Sequence, residues 1–468
     1  MATFMFLLVV SVITLNSALS ARIAGFSGAS KGSHYIVIKK AMEELYSRGH
    51  EVVLVKPSLN QKDSAHNERI PHKTYPATSH DRHFSEEVLL RTLIEEAELL
   101  GIPRVIILSA SPNSGLSSYF KIPLPVSYVP SRFSGFTDKM SFIERLVNLG
   151  MHIFSQVVSH VLFARSMSPL KDKYNITPEI SYHEALGNVE LVIFQADFAF
   201  EYAQPFLPGN VMVGPITVQA EPNPLPPDLV DFINSAGGYG FIIASFGSYV
   251  QTVISKEKID VLATAFGNLN QKVIWKLKGY IPSFLSPNIK IVEWLPQNDL
   301  LAHKDIKAFV SHVGHNSVYE SAYHGVPVVA VPLFADQFPN AKRVEQFGLG
   351  IAVDHKSVTA QELFEAIERV VNEPRFKTEA TRISRLMKDS PRTPLEKTGD
   401  WIEYVLRHGG AQHLRAQVFN IPWYQYYLLD VMAFVVAIVT LVVMVIRMTC
   451  RCLCRVCCKK GDSKTKKE

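Results

Sequence analysis

An apolar run over residues 4–15 opens the chain, and residues 428–446, whose only charge is Asp430 at the edge, stand before a charged tail. Between these ends the hydrophobic positions alternate between short continuous runs and stretches of helical spacing. Residues 22–26 form one such run and lead into the Gly- and Ser-rich segment 27–34. Ile36, Ile38, Ala41, Met42 and Leu45 then recur as one helical face, Gly49 and His50 close it, and 51–55 reads as a second strand. Strand, glycine-rich loop, helix, strand is one unit of a parallel sheet. Residues 104–108 and 191–194 predict further strands. Residues 142–164 predict a long, largely apolar helix that packs over the domain or touches a membrane face. The proline-rich stretch 215–227 reads as an exposed linker. After it come strand 240–245, helix 256–266, strands 272–276, 289–292 and 308–311, helix 316–323, strand 327–331, and helices over 340–347 and 360–373. The pattern predicts an α/β protein of two Rossmann-like, doubly wound domains, 21–214 and 228–420, facing a cleft with ligands at the carboxyl ends of the strands.

The two ends predict a membrane topology. The run over 4–15 followed by small residues at Ser17, Ala18 and Ser20 reads as a secretory signal peptide, residues 1–20, although no Lys or Arg precedes it. Residues 428–446 span roughly 28 Å as a helix, about one hydrocarbon core. Trp423, Tyr424, Tyr426 and Tyr427 form an aromatic belt before it, and Arg447, Arg451, Arg455, Lys459 and Lys460 follow. The positive-inside rule then puts the tail, 447–468, in the cytosol and the body in the lumen, as a single-pass type I protein. Lys464 and Lys466 resemble the dilysine retrieval signal of endoplasmic-reticulum membrane proteins. Asn175, Ile176, Thr177 is a glycosylation sequon on the lumenal side, with Pro178 directly after it.

Composition sharpens this picture. With 468 residues, 47% hydrophobic and 19% charged, the chain is neither disordered nor collagenous. Its net charge of +5 belongs to the tail, where eight Lys/Arg stand against two acids, so residues 1–446 carry −1. A nucleic-acid-binding body is thereby disfavoured. All five cysteines, Cys450, Cys452, Cys454, Cys457 and Cys458, lie in the same tail, as palmitoylation sites or free thiols. The body can form no disulfide.

Candidate chemistry is concentrated in residues 294–337. The segment reads Trp294, Leu295, Pro296, Gln297; then Ser311, His312, Val313, Gly314, His315, Asn316, Ser317; then Glu320; and finally Pro332, Leu333, Phe334, Ala335, Asp336, Gln337. A flat heteroaromatic base suits the aromatic face of Trp294 and the amide of Gln297. His312 to Ser317 leads from a strand into a helix, so backbone N–H groups converge where a diphosphate could sit. Glu320, about two helical turns on, offers acceptors to ribose hydroxyls, or else is a solvated surface side chain. Asp336 and Gln337 can pair with sugar hydroxyls. His312 and His315 have no thiolate or carboxylate at ligand spacing, so no metal is expected.

This signature, together with Ser245, Phe246, Gly247, Ser248 and the Val273, Ile274, Trp275, Lys276 run, closely resembles the UDP-glycosyltransferase family, whose animal members are lumenal, membrane-anchored enzymes conjugating small lipophilic molecules. The resemblance implies a GT-B type fold with uracil on Trp294 and Gln297, phosphates at His312, Asn316 and Ser317, ribose at Glu320, and sugar at Asp336 and Gln337, with Ser248 and Gly314 also among the donor-binding residues. UDP-sugar is then a co-substrate, a lipophilic hydroxyl compound the acceptor, and no cofactor is needed. Val313 departs from the pattern, since the family has a small residue there, usually Gly.

The resemblance also implies inverting transfer in one displacement, with a His in the first glycine-rich loop as general base and an Asp orienting it. His34 occupies the base position. The Asp would end a strand ahead of a segment like Ala97 to Pro103. Here a charged helical run, 84–96, stands before that segment, with Glu86 or Glu87 nearest in register, and an internal segment of the N-terminal domain reads as missing. Two functions remain open: an active UDP-sugar transferase, or a family member that retains UDP-sugar binding and acts by pairing with active transferases.

Overall fold

A computed structural model describes residues 8–13, 20–27, 32–58, 70–76, 102–112, 114–131, 134–173, 179–247 and 254–462. Ser248, Glu86, Glu87 and the sequon at Asn175 lie outside the described residues. The chain divides into two compact units, residues 1–414 and 415–468.

The first unit contains two sheets. Its amino-terminal sheet comprises β1 (Leu8–Ile13), β2 (Arg22–Phe26), β3 (Glu51–Ser58), β4 (His72–Pro76), β5 (Arg104–Leu108), β6 (Leu191–Phe194) and β7 (Asn210–Met212), in the order β4-β3-β2-β1-β5-β6-β7. Every pairing is parallel except those of β1, which runs antiparallel to both β2 and β5. Residues 1–20 were expected to form a leader, and the structure instead uses Leu8–Ile13 as a central strand. A β-branched run such as Leu-Val-Val-Ser-Val-Ile satisfies both roles, and here it fills the space between β2 and β5.

Helix α1 (Ser33–Ser47) follows β2 and buries Ile38, Ala41, Met42 and Leu45 of the apolar face read from the sequence, whereas Ile36 of that face is 43% exposed and Val37 is buried in its stead. The β5 and β6 strands are buried throughout, as expected of a sheet covered on both faces. The helix expected over 142–164 is α3 (Phe142–Lys173), preceded by the short α2 (Ser114–Phe120) and followed by α4 (Tyr182–Gly187).

The second sheet is wholly parallel, in the order β10-β9-β8-β11-β12-β13, from β8 (Phe241–Ser245), β9 (Lys272–Lys276), β10 (Ile289–Val292), β11 (Ile306–Ser311), β12 (Val328–Ala330) and β13 (Gly350–Ala352). Its helices are α5 (Pro227–Asn234), α6 (Lys256–Gly267), α7 (Gln297–Leu301), α8 (His315–His324), α9 (Gln337–Gln346), α10 (Ala360–Asn372) and α11 (Pro374–Lys388). Strand order reverses around β8 and β11, the place where an open parallel sheet leaves a crevice for ligand.

Two boundaries differ from the sequence reading. The expected linker 215–227 is exposed only in its later part, because Ile216, Thr217 and Val218 are buried. The last helix of the first unit, α12 (Pro394–His408), was expected with the second domain. It packs instead on α1, where Arg48 donates to Asp400, Glu403 and the Glu396 carbonyl, and its Ile402 and Val405 join the core beneath the amino-terminal sheet. One apolar core also joins the two sheets, with Leu108, Phe194 and Phe200 on one side and Val318, Tyr319 and Ala330 on the other.

The second unit holds α13 (Trp423–Tyr426) and α14 (Leu429–Asp462). Leu429–Arg455 within α14 is long and apolar enough to cross a membrane. The helix continues beyond the expected end at 446.

Candidate active site

Three loops at the carboxyl ends of β8, β10 and β11 carry most of the residues singled out in the sequence. After β10, Trp294 is 70% exposed, so its ring is an open platform and not core filling. Pro296 and Gln297 start α7, and the Gln297 side-chain amide donates to Glu320 Oε2 at 2.6 Å and to Ser317 Oγ at 3.4 Å. Glu320 is buried, which rules out the solvated surface alternative. Its other oxygen accepts from Thr217 Oγ1 at 2.8 Å. Burial pushes the Glu320 carboxyl up from its usual range, opposed by these two donors and by the charge of Lys40 on α1.

After β11, the chain turns through Val313 at φ 53° and Gly314 into α8. A left-handed conformation is costly for a β-branched residue, of order 1–3 kcal/mol. Val313 holds it with its backbone tied on both sides: its N–H donates to Ser311 Oγ at 3.0 Å and its carbonyl accepts from Asn340 Nδ2 at 2.8 Å. The Val313 side chain is fully buried in the core between the sheets, so the bulk that departs from the family pattern is not exposed in the cleft.

The His312 imidazole lies between two glycines. A Cβ on Gly314 would approach its Nε2 to 2.7 Å and one on Gly247 to 2.8 Å. Both positions therefore need glycine for the ring to sit where it does. Burial lowers the His312 pKa to about 4, against the upward pull of the Asp336 charge, so the ring is neutral at pH 7. Beside it, the first turn of α8 presents His315, Asn316 and Ser317, with the backbone N–H groups expected to receive an anion.

Asp336 sits just before α9, and its Oδ2 accepts from the His315 N–H at 3.2 Å and from Asn340 Nδ2 at 3.1 Å. Its charge also acts on His34, at the start of α1 in the other half of the unit. Burial is the larger influence on His34 and lowers its pKa, so this imidazole too is neutral near pH 7 and able to accept a proton. Gln337 is less available than expected: its side-chain carbonyl accepts from the backbone N–H of Leu333 at 2.7 Å and Phe334 at 3.1 Å, which leaves the amide N–H₂ for other partners.

Several site residues had no signature in the sequence. Gln195, just after β6, donates from its amide to Asn316 Oδ1 at 2.6 Å, and its backbone carbonyl meets His315 Nε2 at 2.6 Å. Behind the site, Arg343 pairs with Glu201 in a buried ion pair. Glu201 also accepts from Tyr319 OH and Ser111 Oγ, both at 2.5 Å, and Arg343 donates to Asn340 Oδ1, the residue that holds Asp336. A glutamine or glutamate close after a strand is a weak local cue; its partners, 90 or more residues away, leave none.

Known proteins resemble this chain in sequence and in fold. A family model described as UDP-glucoronosyl and UDP-glucosyl transferase matches residues 92–464. The human 2-hydroxyacylsphingosine 1-beta-galactosyltransferase is 43% identical over 314 residues, which are 67% of this chain and 58% of that protein. UDP-glucuronosyltransferase 2C1 of Oryctolagus cuniculus is 38% identical over 344 residues, 73% of this chain and 67% of the relative. The chain thus spans less than two thirds of the galactosyltransferase it matches. Among solved structures, Os79 from O. sativa in complex with UDP superposes with a TM-score of 0.56 over 81% of this chain and 98% of that one, at 17% identity. The likeness to Os79 is one of fold, of the GT-B type.

Proposed function

The chain belongs to the UDP-glucoronosyl and UDP-glucosyl transferase family, and we propose that it moves a hexose from a UDP-sugar to a hydroxyl of a small lipophilic acceptor, with inversion at the sugar carbon. The observation that carries this reading is Asp336, which accepts from the His315 N–H at the start of α8 and whose charge reaches both His34 and His312. Uracil lies on Trp294 with its edge at Gln297, ribose at Glu320, and the diphosphate against His312, Gly314, Asn316 and Ser317. Asp336 and Gln337 hold the sugar. His34 takes the proton of the acceptor hydroxyl as its oxygen bonds to the sugar carbon, and the bond from that carbon to the diphosphate oxygen breaks. The N–H groups at the start of α8 stabilise the departing UDP.

A second reading is a member that binds UDP-sugar and acts by pairing with active transferases. The position of β1 favours it. The family's catalytic Asp would end a strand leading toward β5, and the place beside β5 is taken by antiparallel Leu8–Ile13.

We further place the protein in the endoplasmic-reticulum membrane, with α14 crossing the bilayer, the body lumenal and the tail cytosolic. Amino-terminal sequencing tests the leader. A mature chain starting at Ala21 supports removal, and one starting at Met1 or Ala2 assigns Leu8–Ile13 to the sheet. The function is tested by supplying membranes that contain the chain with UDP-glucuronic acid, UDP-glucose, UDP-galactose and UDP-N-acetylglucosamine. The acceptors are a phenol and a 2-hydroxyacylsphingosine. A glycosylated acceptor supports transfer; UDP binding without product from any donor supports the pairing reading.

A further inference from the structure

Helix α3 is built inside out. At about 100° per residue, Glu144, Asn148, Met151, His152, Ser155, Gln156 and Ser159 fall on one side. Asn148 on that side is completely buried and fully used: its amide donates to the carbonyls of Val126 at 2.8 Å and Val129 at 2.9 Å, and its oxygen accepts from the Ser131 N–H at 2.6 Å. Gln156 donates to Ser117 Oγ at 3.3 Å, and the Ser159 carbonyl accepts from Tyr119 OH at 3.2 Å. The polar side therefore faces the protein. The opposite side, centred on Val157, carries Phe142, Leu146, Ile153, Phe154 and Val161, all exposed, with Phe154 67% and Val157 54% accessible. The charged residues near it, Asp138, Lys139, Glu144 and Arg145, gather at its amino end, and Arg165 stands beyond Val161.

A helix that gives its polar side to the protein and its apolar side to the outside has the reverse of the ordinary soluble pattern. We propose that the apolar side of α3 lies in the interfacial layer of a lipid bilayer, as a second membrane contact of the body. This rests on the reading that Leu429–Arg455 crosses the bilayer. Leu429 follows the last residue of the first unit, Leu414, by 15 residues, a tether that holds the body within about 50 Å of the membrane. At that range a lipid surface is the apolar partner always present. An amphipathic helix buries such a side roughly 5–10 Å into the headgroup and acyl boundary.

The test uses the full chain in phosphatidylcholine vesicles. With the five tail cysteines replaced by serine, a single cysteine carrying an environment-sensitive fluorophore is introduced by Phe154→Cys, Val157→Cys, Ser155→Cys or Val439→Cys. Each variant must retain the parent's unfolding temperature. The probes at Phe154 and Val157 are expected to lose roughly half their emission with brominated acyl chains and little with aqueous iodide, while the Ser155 probe is insensitive to lipid. Quenching at Val439 without quenching at Phe154 and Val157 overturns the proposal. Absence of lipid quenching at Val439 overturns the bilayer reading beneath it. Cross-linking between two Phe154→Cys chains without lipid quenching assigns the face to a second copy and overturns the proposal as well.

Discussion

The buried pair between Arg343 and Glu201 makes a quantitative demand on the structure. Both side chains are about 6% exposed, and the pair ties the segment after β6 to α9, behind Asp336. Arg343→Leu leaves the Glu201 carboxylate buried with Tyr319 OH and Ser111 Oγ as its remaining donors among the described residues. Removing one partner of a buried pair costs about 3–5 kcal/mol. With an unfolding entropy of about 2.1 cal/mol/K per residue, a unit of residues 1–414 loses about 1.2 °C per kcal/mol, so Tm should fall by about 3–6 °C. Changing both residues to Leu removes the unpaired charge and should recover most of that loss. Because Arg343 also holds Asn340, and Asn340 holds Asp336, the single variant should raise KM for UDP-sugar more than it weakens UDP itself. Differential scanning calorimetry and UDP titration read both effects. An unchanged Tm for Arg343→Leu, or a double variant less stable than either single one, would refute the reasoning.

Further predictions concern the donor site. Gly314→Ala puts a methyl 2.7 Å from His312 Nε2, and with Gly247 on the other side the ring cannot yield freely, so UDP affinity should fall about 10- to 100-fold by calorimetric titration. Glu320→Ala strands the Gln297 amide and the Thr217 hydroxyl and removes the ribose acceptor, and should weaken UDP about ten-fold or more in the same titration. The folded pKa of His312 is about 4 against an ordinary 6.5, so between these values the unfolded chain binds the extra proton. Stability is therefore complete above pH 7 and declines as pH falls toward 4, by roughly 2 kcal/mol at pH 5. His324, also lowered to about 4 by burial, and His34 act in the same direction, so His312→Gln should remove part of this slope in thermal unfolding.

The parts of the molecule that were legible in the sequence are those whose cause is local. The apolar face of α1, the buried runs of β5 and β6 and the alternation after Asn234 follow from side-chain periodicity, which a window of ten residues contains. The candidate site stands out for the same reason, because residues 294–337 bring several loop and helix starts into one continuous stretch. What remained hidden depends on contacts across long sequence separations. Gln195 reaches Asn316, Thr217 reaches Glu320, and Glu201 reaches Arg343, and no spacing rule links such pairs. The return of α12 to α1 is of this kind, since an amphipathic helix shows that it packs without showing on what. Leu8–Ile13 is ambiguous for another reason: an apolar β-branched run has the same composition in a leader and in a central strand.

The central claim is that His34 removes the acceptor proton in the proposed sugar-transfer site. It is tested most directly by measuring sugar transfer from the four UDP-sugars to a lipophilic hydroxyl acceptor in membranes carrying the parent chain or His34→Ala, with UDP affinity measured on both. The account predicts product from the parent, a loss of about 10²–10⁴ in turnover for the variant, and equal UDP affinity. Equal turnover in the two chains, or UDP binding with no product from any donor, would contradict it.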